Sequence, residues 1–172
     1  MATSLTRRLF VALLLSAAGA VPAAAQDAPV VVYLVRHAEK VDDSRDPPLS
    51  AAGQARALEL ARVLGDAGLT HVWSTDFDRT RSTAAPAAAR AGLRVERYDP
   101  SKPREFVERL KRTPGRHLVV GHSNTTPALV QLLGGTPGAT IPETEYDRLY
   151  VVVIDASGTT SMLLRFGVPA SK

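Results

Sequence analysis

The 172-residue chain contains no cysteine. That absence excludes disulfide bridges, thiolate metal centres and cysteine nucleophiles together. Internal repeats and low-complexity tracts are also missing. No stretch is apolar for long enough to serve as a stable membrane anchor. Charge of one sign is scarce as well, since 21 Lys+Arg stand against 17 Asp+Glu, a net +4. Arg7 and Arg8 account for half of that excess; without them 19 basic residues face 17 acidic ones, or +2. The sequence pI of about 9.8 therefore overstates the basicity of the rest. No nucleic-acid footprint is left, because such a partner needs a concentrated basic face.

What is present begins with a targeting pattern. Arg7 and Arg8 precede the apolar run "LFVALLLSAAGAV", and "PAAAQ" closes it with small residues at Ala23 and Ala25. A basic start, a short apolar centre and an A-x-A site predict a signal peptide over 1–25. The paired arginines loosely resemble a twin-arginine export signal, so the general secretory and twin-arginine routes both stay open. Residues 26–172 are then expected as one domain, periplasmic or secreted, with a single ordinary core.

Within that domain, Pro29 to Val35 is a continuous β-branched run, as in a strand buried on both faces. Ser50 predicts the cap of a helix over "AAGQARALELARVLGDAG", and "HVWST" is a short strand. "DRTRSTAAPAAARAG" reads as a second helix, kinked or delayed by Pro86. "LRVERY" alternates like a strand, "PREFVERLKRT" opens a helix with proline, and "RHLVVGHS" is a third apolar strand. A helix over "TTPALVQLLGG" and two strands meeting at Ser157-Gly158 complete the chain. This order predicts an α/β three-layer sandwich, with a mostly parallel sheet between helices.

In such sheets ligands lie beyond the carboxyl ends of the strands. Three ends here carry chemistry: Arg36-His37-Ala38-Glu39, then "STDFDRTR" with Arg79, then Gly121-His122-Ser123-Asn124. Two histidines with arginines suit a phosphate or similar oxyanion. One strand-end histidine alone is more often just a hydrogen-bonded residue, and that reading is kept for His71 and His117. A metal site is the poorer reading, because the arginines repel a divalent cation and no third ligand accompanies the histidines.

These segments resemble one family. "LVRHAEK" is similar to the R-H-G-[ED] motif of the histidine phosphatase superfamily, with its phosphoglycerate mutase-like fold (branch 1). "DPPLSAAGQARA", "WSTDFDRTRSTA" and "VVGHSNT" resemble its other three segments in order and spacing. The resemblance implies a small bacterial, exported, metal-independent histidine acid-type phosphatase acting on a small phosphorylated substrate without a cofactor. His37 would be the nucleophile, with Arg36, Arg79 and His122 forming the phosphate pocket; a protonated His122 would add a donor. Ser123, Asn124 and Arg45 are expected to contact substrate, and loops 41–48, 99–105 and 135–147 to set specificity. For the acid that protonates the leaving group, Glu39 ranks ahead of Asp76, Glu143 and Glu145. A mutase-like phosphotransferase and a non-catalytic phosphosugar or polyanion binder are the alternatives. Ala38 and Ser123 replace glycines of the family pattern.

Overall fold

The computed structural model describes residues 28–169; the expected signal peptide lies outside them. Four strands and four helices alternate from the start: β1 (Val30–Arg36), α1 (Ala51–Val63), β2 (His71–Ser74), α2 (Asp78–Arg90), β3 (Val95–Arg97), α3 (Pro103–Arg112), β4 (Gly115–Gly121) and α4 (Thr125–Leu132). The hairpin β5 (Arg148–Asp155) and β6 (Gly158–Arg165) follows α4. One six-stranded sheet results, in the order β3-β2-β4-β1-β5-β6. Its first four strands run parallel, and β5 and β6 are antiparallel to their neighbours.

Both sheet faces are covered, which is why β1 and β4 are apolar without alternation. Val32, Leu34, Trp73 and Val119 pack with Phe106 and Leu110 of α3 and Leu129 of α4. Val35, Val72, Leu118 and Val120 pack on the opposite face with Leu60 of α1 and Ala84 and Ala88 of α2. Helix α2 runs through Pro86 from Asp78 to Arg90 without delay or interruption. The proline lacks a donor for one bond of that helix, but Thr83, Ala84, Ala87 and Ala88 hold the helix to the sheet by burial.

Among the described residues, no helix is long and apolar enough to cross a membrane. The topology has one consequence for function. β2, β4 and β1 are adjacent and parallel, so the three chemically loaded ends emerge side by side.

Candidate active site

His37 follows directly on β1, and its backbone N–H donates to Gly121 O at the end of β4 (2.9 Å). The residue is buried, with 4% of its surface exposed. Nδ1 lies 2.8 Å from the Ala38 carbonyl oxygen. A carbonyl only accepts, so Nδ1 carries the proton and Nε2 keeps its lone pair. Burial, and then the charges of Arg36, His122 and Arg79, lower the His37 pKa to about 3, against the opposing Ala38 hydrogen bond.

His122, one residue past β4, meets His37 edge to face at 5.5 Å. Burial first, then Arg79 and Arg36, lower its pKa to about 4. The expectation of a protonated His122 is therefore corrected for the free protein: its ring is neutral near pH 7, and it donates only through its one N–H. Its Nε2 is 2.9 Å from Thr75 Oγ1, which continues to Thr80 Oγ1 at the start of α2.

Arg36 is 3% exposed and held by the loop before β5. Nη1 donates to the carbonyls of Pro142 (2.8 Å), Glu143 (3.1 Å) and Glu145 (3.2 Å). Nη2 donates to Glu143 Oε2 at 2.5 Å, and the Tyr146 ring lies 4.3 Å from the guanidinium carbon. Its Nε is buried with no partner. A buried guanidinium N–H left unpaired is costly.

Arg79 stacks over Phe77 at 4.3 Å. One of its nitrogens, Nη1, is near the Arg45 carbonyl (3.4 Å) and Asp46 (3.6 Å); the others have no partner among the described residues. Thr83 couples this helix to the nucleophile, accepting from Ala38 N (2.9 Å) and donating to Arg79 O (2.7 Å).

Four of the predicted residues, His37, Arg36, Arg79 and His122, thus converge. Ser123 joins them by donating to Glu143 Oε1 (3.2 Å). Arg45 reaches the site through its carbonyl, and its side chain is exposed. Asn124 is the N-cap position of α4 without a side-chain capping bond.

The role expected for Glu39 is corrected. Both its oxygens accept from Arg56, at 2.7 to 3.0 Å, which leaves it a counter-ion and not a proton donor. Asp76 is likewise taken by Arg81 and Arg97, and Glu145 by Arg148 and Arg165. Glu143 remains, 73% exposed at its side chain and seated on Arg36. Burial alone would raise its pKa, but the Arg36 charge and hydrogen bonds from Arg36 and Ser123 bring it below the ordinary carboxylate value.

Arg56 and Tyr146 have no counterpart in the expected site. Arg56 was visible only as one more polar residue of an amphipathic helix. His117 keeps its ordinary reading: Nδ1 accepts from Trp73 Nε1 (3.1 Å) and Nε2 donates to Thr113 O (2.8 Å). Among the described residues, no group of three or more His, Asp or Glu is arranged to hold a metal ion.

The model of the histidine phosphatase superfamily (branch 1) matches residues 32–100. "Probable phosphoglycerate mutase GpmB" of Escherichia coli O1:K1 is 37% identical over 71 residues, 37% of this chain and 33% of that protein. The match therefore spans about a third of the length of that curated relative. Among solved structures, the protein histidine phosphatase SixA complexed with tungstate superposes with a TM-score of 0.61 at 21% identity, covering 82% of this chain and 96% of that one. A mycobacterial glucosyl-3-phosphoglycerate phosphatase gives 0.61 at 15%, covering 84% and 100%. Phosphoglycerate mutase from Bacillus anthracis gives 0.62 at 15%, covering 80% and 93%. These structures share the fold.

Proposed function

We propose that the chain, whose residues 32–100 match the model of the histidine phosphatase superfamily (branch 1), is an exported phosphatase that hydrolyses phosphate monoesters or phosphoramidates through a phosphohistidine on His37. The observation that carries the reading is the pairing of a neutral His37, proton on Nδ1, with the unpartnered buried Nε of Arg36 beside it. The first is a nucleophile and the second is an oxyanion donor.

In the first step the Nε2 lone pair of His37 attacks phosphorus, and the bond to the leaving oxygen or nitrogen breaks. Arg36 Nε, the free nitrogens of Arg79 and the N–H of His122 surround the equatorial oxygens as charge spreads over them. The leaving atom departs with the bonding electrons and takes a proton. Glu143 is placed to give it: once the phosphate dianion occupies Arg36, the charge that lowers the Glu143 pKa is neutralised and its protonated form is favoured. In the second step water attacks the phosphoimidazole, Glu143 takes a proton from it, and inorganic phosphate and neutral His37 are regenerated.

Export is the other half of the reading, supported by Arg7, Arg8, the apolar run and the small residues Ala23 and Ala25 of 1–25. Amino-terminal sequencing of protein recovered from outside the cytoplasm is expected to begin at Gln26. Catalysis is tested with an aryl phosphate. Hydrolysis by wild-type protein and its loss in His37→Ala are expected; equal activity in the two contradicts the assignment.

A further inference from the structure

A cavity of about 880 Å³ adjoins the site, and His37, Arg36, Arg79 and His122 are not among its lining residues. One wall is a single stripe of α1, formed by Ala52, Ala55, Arg56 and Glu59 at helical spacing. Glu143 and Tyr146 form the wall shared with the catalytic residues, since Glu143 bonds Arg36 and the Tyr146 ring centre is 6.1 Å from that of His37. The far wall is the segment Gly167, Val168 and Pro169. Arg56 fixes that wall by donating to Phe166 O (3.1 Å) and Val168 O (2.9 Å). A side chain at Gly167, whose φ is +69°, would start 2.9 Å from the Arg56 guanidinium. Of the three loops expected to set specificity, 135–147 lines this cavity. Loop 99–105 lines a separate cavity of about 240 Å³ around Tyr98 and Lys102.

We infer that this cavity receives the leaving group, and that it selects phosphate esters whose alcohol has an apolar or aryl body ending in a cationic amine. The inference rests on the phosphatase reading above. Position is the first argument, because Glu143 and Tyr146 belong to both spaces. Chemistry is the second. Alanine methyl groups, a valine, a proline and a tyrosine ring supply apolar surface for the body. Three carboxylates line the cavity, Glu39, Glu59 and Glu143, against Arg56 as the cation, and Glu59 is also paired with Arg62, which is exposed and lies outside the lining. All three guanidinium nitrogens of Arg56 are already engaged by Glu39 and two carbonyls. With Glu143 protonated, Glu39 and Glu59 against Arg56 still leave the lining net acidic. A leaving group with its own carboxylate meets repulsion there, whereas an ammonium group meets complementary charge.

The test uses phenyl phosphates with a para aminomethyl, methyl or carboxymethyl group, whose methylene insulates the reacting phenol from the charge. Phosphoramidate is the control, because its ammonia leaving group is too small to need the cavity. Wild-type kcat/KM is expected to fall in the order aminomethyl, methyl, carboxymethyl, by about tenfold or more between the ends, and less at high salt. Glu59→Gln is expected to shrink that ratio several-fold. Ala55→Trp, placed on the exposed face of α1, is expected to lower all three aryl rates at least tenfold and leave phosphoramidate hydrolysis unchanged. A flat or reversed order, or aryl rates untouched by Ala55→Trp, overturns the cavity assignment while phosphoramidate turnover keeps the phosphatase reading standing. Wild-type protein that turns over none of the four overturns both.

Discussion

The rings of His37 and His122 meet at 5.5 Å with their planes 67° apart, across the ends of two adjacent parallel strands. Burial and two nearby guanidinium groups keep both neutral, with pKa values of about 3 and about 4. The nucleophile is therefore ready well below neutral pH. An ordinary histidine, with a pKa of about 6.5, would be neutral in only about one molecule in thirty at pH 5. The expected outcome is a kcat/KM that stays within twofold between pH 7 and 5 for a substrate whose leaving group needs no proton from Glu143 and whose own ionisation does not change in this range. A profile that falls about thirtyfold over the same interval contradicts the geometry around His37.

The same shifts make folding sensitive to acid. Below about pH 6.5 the unfolded chain binds protons at these histidines and the folded chain does not, so protonation favours unfolding. This contribution to stability is complete above pH 6.5 and declines as pH falls toward about 3. Burial also lowers the pKa of His117, adding to the same trend. Thermal unfolding from pH 7 to 4 should show His37→Asn losing less Tm than wild type. Parallel curves would mean that His37 is not held neutral by the fold.

Much of the site could be read in the sequence because it is local. Arg36 and His37 end one apolar run, His122 ends another, and Arg79 opens a helix after a third. A strand buried on both faces announces itself, and its end follows. Pro86 does not delay α2, because the rule for a proline within a helix is local, whereas the burial that holds α2 together is not. Glu39 misled for a related reason. Its nearness to His37 in sequence was visible, but Arg56, seventeen positions on, was not visible as its partner. The contacts of Arg36 with Pro142 and Glu143 span over a hundred residues, and no spacing reports them.

Glu39 and Glu143 should consequently separate in their effects. Arg56→Ala strands the Glu39 carboxylate and frees the Phe166–Val168 segment, and is expected to cost about 3 kcal/mol of stability. Glu39→Gln should likewise lower Tm while kcat for an aryl phosphate changes less than tenfold. Glu143→Gln is expected to leave Tm nearly unchanged and lower kcat about a hundredfold for an alkyl phosphate, with little effect on phosphoramidate. Melting curves and a leaving-group series on both variants check this. A reversed pattern restores Glu39 as the acid.

Gly53 offers a test of how α1 is seated. Glycine to alanine within a helix normally stabilises it by about 1 kcal/mol. Here a Cβ would lie 2.1 Å from the Glu39 carbonyl oxygen, which also accepts from Ser50 N at 2.9 Å. The contact is with backbone, so the helix or the Glu39 peptide must move. Gly53→Ala is expected to destabilise the protein by about 2 kcal/mol in denaturant unfolding. A stabilised variant would show that α1 does not approach Glu39 this closely.

The most direct measurement is a rapid acid-free quench of wild-type protein mixed with phosphorus-32-labelled aryl phosphate. Label should remain on the protein, be stable to base and labile to acid, and map to the peptide containing His37. His37→Ala and His37→Asn should carry none. Turnover without any such label on His37 under single-turnover conditions, or label on another residue, would contradict the phosphohistidine on which the account depends.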